Sequence, residues 1–119
     1  MLCAYDNRCS VTRIQLRLVD SAHILPVHAE ETTDDVRNGI ALSPTYHRAF
    51  DGGLIYLDEG YVMRINPEGE LQLATLKLHG GIEDFKYYLG KRIYLPPDKR
   101  QWPELKIIKK ANEYRRVLF

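Results

Sequence analysis

Apolar and polar residues alternate from Ser10, with Ile14, Leu16 and Leu18 separated by Gln15 and Arg17. A period of two is that of a half-buried strand, and Val19 to Ile24 continues it in extended form with a bend near Asp20. Pro26 ends the pattern, because it cannot donate to a ladder and restricts Leu25 before it. Residues 27–37 carry Glu30, Glu31, Asp34 and Asp35 with no apolar period. They lack the alternating ligand spacing of a calcium loop and read as a solvated surface loop. Asn38-Gly39 suits a turn with positive φ. Ile40 to Leu42 is apolar, Ser43 is an N-cap type and Pro44 stands at the first helical position, so a helix is predicted from about Pro44 to Asp51, closed by Gly52-Gly53.

Residues 3–8 read as a helix end or a lead-in turn around Asp6-Asn7. Leu54 to Leu57 and Tyr61 to Ile65 flank Asp58-Glu59-Gly60, a hairpin signal. Asn66-Pro67-Glu68-Gly69 reads as a second turn, with Leu71, Leu73, Leu76 and Leu78 suggesting a further strand pair. Ile82 to Leu89 fits a short helix or turn, Arg92 to Leu95 a strand, and Pro96-Pro97 a break. From Pro103 a last helix is marked by Ile107, Ala111, Tyr114 and Leu118 at helical spacing. The fold class expected is α+β, in a single domain over residues 1–119.

A chain of 119 residues with 45% hydrophobic and 28% charged residues has the composition of one globular domain. It has no apolar run of membrane-spanning length and no signal-peptide pattern at its start, so a cytoplasmic protein without membrane contact is expected. Cys3 and Cys9 are too few for a four-cysteine zinc site and read as buried, reduced thiols. The net charge is only +1, but it is segregated. Residues 1–85 hold 7 Lys or Arg against 13 Asp or Glu, a balance of −6; residues 86–119 hold 10 against 3, a balance of +7. A basic surface for phosphates beside acidic groups for a cation would look like this, and so would a solvated helix face with ordinary surface acids.

The candidate chemistry lies between Asp20 and Asp51. His23 ends the first strand, Asn38 follows after fifteen residues and His47 after nine more. His47 and Asp51, at i and i+4, share a face of the predicted helix and can address one point in space. Imidazoles titrate near neutral pH, which suits His23 to take a proton from an attacking water. Outside this stretch His28 and His79 have no informative spacing. Trp102 and Tyr94 suit base stacking or, more simply, core packing.

Four blocks in order, Cys9 to Thr12, Ala22-His23-Ile24-Leu25-Pro26, Asn38 to Leu42 and His47-Arg48-Ala49-Phe50-Asp51-Gly52-Gly53, resemble the HNH endonucleases. The nearest pattern is the branch found at the C-terminal end of restriction endonucleases. The resemblance covers about residues 3–65. It implies a ββα-metal core there, with additional β-hairpins and a basic C-terminal helix over about 66–119. It further implies a metal-dependent endonuclease acting on DNA. His23 would be the general base and His47 the metal ligand from the helix. Many members have Asp before the base, whereas this chain has Ala22, and its nearest carboxylate is Asp20. Opposite faces of a regular strand would carry Asp20 and His23, so Asp20 joins the metal only if the strand bends or bulges.

Asn38 is either part of the catalytic set, as a metal ligand in the manner of related Asp-Arg-Gly-His nucleases, or a clasp fastening the loop. Asp51 would complete the metal shell, orient His47 or end the helix, and orientation ranks first; at a helix C-terminus its charge needs a compensating partner. Oxygen donors and phosphate suit Mg²⁺ or Mn²⁺, while a His and Asp pair also accepts Zn²⁺ or Ni²⁺. Lys106, Lys109, Lys110 and Arg116 on the last helix would contact phosphates. A homodimer would serve the second strand, and a recognition domain preceding the chain would choose the site. The rival reading is a catalytically inactive nucleic-acid-binding module on the same scaffold, for which Ala22 speaks; a third is a structural domain in which the two histidines and Asn38 only fasten a loop to a helix.

Overall fold

The computed structural model describes residues 2–26 and 35–116, with the backbone but not the side chain of Arg116. Residues 27–34, holding His28 and most of the acidic loop, and Leu118 lie outside the described residues. Strands β1 (Asp20–His23) and β2 (Gly39–Leu42) form an antiparallel two-stranded sheet, and helix α1 (Pro44–Asp51) packs on both. A second sheet has strand order β3 (Ile55–Leu57), β4 (Val62–Ile65), β5 (Lys91–Arg92). Helices α2 (Pro67–Thr75) and α3 (Ile82–Lys86) lie between β4 and β5 in sequence, and α4 (Leu105–Arg116) packs against β3. The ββα core and the α+β class are as expected. Among the described residues no helix is long and apolar enough to cross a membrane.

One core joins these layers. Tyr5, Cys9, Ile24, Ile40, Leu42, Phe50, Ile55, Leu57, Met63 and Ile108 are almost completely buried. Helix α1 sits over β1 and β2 because Tyr46 and Phe50, at i and i+4, form its apolar face and leave His47 half-buried beside the sheet. Pro44 at its first position and Gly53 at φ +81° set its limits as predicted.

Several elements differ from the sequence expectation. Ser10 to Val19 is not a strand. Arg13, Leu16 and Arg17 have positive φ, and Leu16 is 73% exposed, so the alternating residues have no sheet to alternate across. The segment is held as a loop by Cys9 and Ser10: the Thr12 amide donates to Cys9 Sγ at 3.4 Å, and Ser10 Oγ donates to the Ala41 carbonyl at 2.9 Å.

The leucine-rich stretch after Asn66 is helix α2, not a strand pair. Asn66 Oδ1 accepts from the Glu68 amide at 3.0 Å, Pro67 follows, and Glu68 and Glu70 stand in the first turn. These N-terminal signals outweigh the period-two spacing of leucines, of which Leu71, Leu76 and Leu78 stay exposed. Strand β5 is shorter than expected, ending at Arg92. Gly39 is extended at φ −148°, so no positive-φ turn is made there.

Helix α4 also faces differently. Its buried residues are Ile108, Ala111 and Arg115, while Ile107 is half-buried and Tyr114 is 38% exposed. The inward stripe is therefore turned by one residue from the Ile107, Ala111, Tyr114 stripe, and an arginine occupies its last place.

Candidate active site

Strand β1, the 3-10 turn before β2 and helix α1 carry the candidate residues, and the structure brings Asp20, His47 and Asp51 together. Register is unbroken along the pair, from Asp20 opposite Leu42 to His23 opposite Gly39. The bend or bulge on which a site shared by Asp20 and His23 depends is thus absent: Asp20 meets His47 because of where α1 crosses, and a regular strand carries His23 on its other face. Asp20 begins β1, where α1 crosses, and its Oδ2 lies 2.9 Å from His47 Nδ1. Ala22, which occupies the place of the usual family Asp, is buried in the core.

His47 is held from both sides. Its Nε2 lies 3.2 Å from Asp51 Oδ2, one helical turn on. Asp51 thereby finds the compensation that a carboxylate at a helix C-terminus requires, from His47 and from the Arg115 guanidinium at 3.9 Å. Both carboxylates are about half exposed, so the imidazole opens to solvent along an acidic rim.

Asn38 is completely buried at the end of a short 3-10 turn, Val36–Asn38. Its Oδ1 accepts from the Leu25 amide at 2.8 Å and its Nδ2 donates to the Leu25 carbonyl at 3.3 Å. The Ile24 amide donates to the Asn38 carbonyl at 2.9 Å. These three bonds fasten the chain immediately after His23, where it bends away from the sheet at Ile24 and Leu25. The side chain's geometry is that of the clasp.

Arg115 was not foreseen. Its guanidinium donates to the carbonyls of Phe50 at 2.9 Å, His23 at 3.3 Å and Ile24, and it lies 4.1 Å over the Phe50 ring. Burial pushes its pKa down to about 10, which still leaves it charged at neutral pH. The signal available in sequence was an arginine at i+4 from Ala111 and i+7 from Ile108 on an otherwise apolar face.

Among the described residues no three histidine, cysteine or carboxylate side chains converge as a ready-made metal cage. The donors come as a pair, Asp20 with His47. Neighbouring ligand atoms of an octahedral ion, each about 2.1 Å from it, lie about 3 Å apart, which the 2.9 Å separation matches. A carboxylate, an imidazole and remaining places for water and phosphate suit a hard divalent cation. If the one proton of a neutral His47 is on Nε2, it faces Asp51 and leaves the Nδ1 lone pair toward Asp20.

Lys106 and Lys109 are exposed on α4, Lys110 is half-buried, and the Arg116 side chain lies outside the described residues. More cation stands at β5 and the 3-10 turn Lys99–Gln101: Lys91 lies 4.9 Å over the Tyr87 ring, and Arg92 and Lys99 lie 5.0 and 5.5 Å over the Trp102 ring. Trp102 packs edge-on against Tyr61 and donates to the Pro96 carbonyl at 2.6 Å. Tyr94 is covered by Arg13 and donates to Asp6.

The family of HNH endonucleases matches residues 9–58, the stretch that holds Asp20, His23, Asn38, His47 and Asp51. Among solved structures the chain is similar to a modification-dependent TagI restriction endonuclease, with 18% identity and a TM-score of 0.59. That likeness covers 95% of this chain but 35% of the other, so it shows the shared fold and spans about a third of that enzyme. No curated protein sequence matches the chain.

Proposed function

Taking residues 9–58 as an HNH endonuclease domain, and the chain therefore as a nuclease, we propose that it hydrolyses DNA phosphodiesters in a reaction dependent on a divalent cation. The observation that carries this is Asp20 at 2.9 Å from His47 Nδ1, a donor pair on two elements at the start of the strand whose last residue is His23. Asp20 and His47 would hold the cation, Mg²⁺ or Mn²⁺ before Zn²⁺ or Ni²⁺, which when bound would supply positive charge against the phosphate and the leaving oxygen. His23 takes the proton of the attacking water as general base. Asp51 orients His47 by accepting from Nε2. Asn38 and its bonds to Leu25 keep the His23 strand end in place.

The exposed Lys106 and Lys109, with Lys91, Arg92 and Lys99, contact backbone phosphates, which position a duplex without reading its sequence. In this reading the chain is the cleavage module of a restriction-type enzyme. The likeness to about a third of such an enzyme supports it, with site choice in a separate recognition domain and the second strand served by a second copy.

The test is nicking of supercoiled plasmid by the purified chain in Mg²⁺, Mn²⁺ or EDTA, beside His23→Ala. Nicking that needs metal and is lost in the variant is the expected result. DNA binding that falls steeply with salt, with no nicking in any metal, would replace this reading by the inactive binding module.

A further inference from the structure

We infer that Arg115 is a positioning residue of the cleavage site, one buried cation that fixes the strand end bearing His23 against the helix end bearing Asp51 and His47. The inference rests on the nuclease reading with His23 as base. Its ground is where the guanidinium spends its donors. Two of its hydrogen bonds go to the carbonyls of His23 and Ile24, and one goes to the carbonyl of Phe50, in the last turn of α1. Among the described residues its ion-pair partner is Asp51, at 3.9 Å. The side chain is 3% exposed and reaches these groups from α4, which is otherwise remote in sequence from both.

Stability alone is a poor account of this residue. Burying a charge is costly, and an apolar side chain of similar volume often serves a core as well or better. What an apolar side chain cannot do is bind carbonyls on two elements at once. The planar fork of N–H donors does that in fixed directions, whereas a lysine offers a single point of charge. The Phe50 carbonyl accepts from the Gly53 amide at 3.1 Å and takes the guanidinium on its second lone pair. The bond to His23 is made by the backbone of the proposed base itself. An error of about 1 Å in the placement of a reacting group costs about 100-fold in rate, which is the scale on which such a brace acts.

Arg115→Lys and Arg115→Gln, compared with wild type and His23→Ala, test the role. Plasmid nicking at saturating and limiting DNA gives kcat and KM, filter binding in EDTA gives DNA affinity, and thermal melting reports the fold. The expected result is a kcat lower by about 10–100-fold in both folded variants, less so for Lys, with KM and DNA affinity within about twofold of wild type. Folded variants that nick at the wild-type kcat, while His23→Ala is inactive, overturn the inference and leave the nuclease reading standing. Variants that do not fold at all make Arg115 a residue of the core only and overturn it as well. A wild-type chain that nicks under no condition removes the nuclease reading and the inference together.

Discussion

Asp20 and His47, on different elements and 27 residues apart in sequence, meet with a carboxylate oxygen 2.9 Å from the imidazole Nδ1. Asp51 holds the other ring nitrogen, so the two carboxylates make separable predictions. Asp20→Ala removes the proposed cation donor and should raise the half-saturating Mn²⁺ for nicking by more than about 100-fold. Asp51→Asn keeps an acceptor for Nε2 but removes its charge, and costs less, within the range of about 10–100-fold seen for residues behind a ligand. Metal titrations of the two variants check this. The reverse order would put the cation between His47 and Asp51, with Asp20 as the orienting group.

Asn38→Ala acts on the fold. It removes two buried hydrogen bonds to Leu25, at 2.8 and 3.3 Å, and leaves a hole in a completely buried place. A loss of about 1–3 kcal/mol in urea unfolding is expected. The fraction of molecules still folded should retain metal binding, because both polar atoms of the Asn38 side chain bond the Leu25 backbone. Full stability with abolished metal affinity would instead make Asn38 a ligand.

Asp58 gives a pH dependence with a definite sign. Burial raises its pKa, but the Arg64 side chain and the amides of Val62 and Gly60 donate to it and outweigh that effect, so its carboxyl sits below the ordinary range. A carboxyl lowered in the folded state adds stability above its unfolded pKa and loses it as pH falls through the folded one. Asp58→Ala should be less stable than wild type by about 1 kcal/mol at neutral pH, and the gap should close below about pH 4. Melting curves of both proteins from pH 7 downward check it.

The two thiols should separate in a native titration. Cys3 is exposed and Cys9 is completely buried. Burial raises the Cys9 pKa, yet hydrogen bonds from Thr12 and nearby amides more than offset this and lower it. A buried thiol stays out of reach of a reagent whatever its pKa. One equivalent of thiol should react with Ellman's reagent in the folded protein and the second only in urea. Rapid reaction of both would place Cys9 at the surface.

Much of the site was legible because the residues that make it are local. Ser43-Pro44 and Gly52-Gly53 bound α1 through caps and special backbone angles, and the i, i+4 spacing of His47 and Asp51 follows at once. Asp20 as the partner of His47 was only conditionally legible, because it depends on where α1 crosses β1 and not on the strand's own alternation. Arg115 was invisible for a related reason. Basic residues on a helix normally cover a solvated face, and only the packing of α4 against β3 shows that this one points inward. The two misread stretches share one cause: alternation at Leu16 and at Leu71 to Leu78 is a strand signal only if another strand lies alongside. At α2 the Asn66 cap and Pro67 decide otherwise, and at Leu16 and Arg17 the left-handed backbone does.

The bond from Arg115 to the His23 carbonyl spans 92 residues, whereas β1, β2 and α1 lie within the first half of the chain. During synthesis the acidic rim and its histidines can therefore take shape well before the brace exists, since non-local contacts wait on the closure of long loops. A chain made only as far as α1 would carry the proposed cutting residues without the contact that aligns them. Placing that contact on α4 makes the alignment of the site wait on a helix that follows it in the chain and must first pack into place.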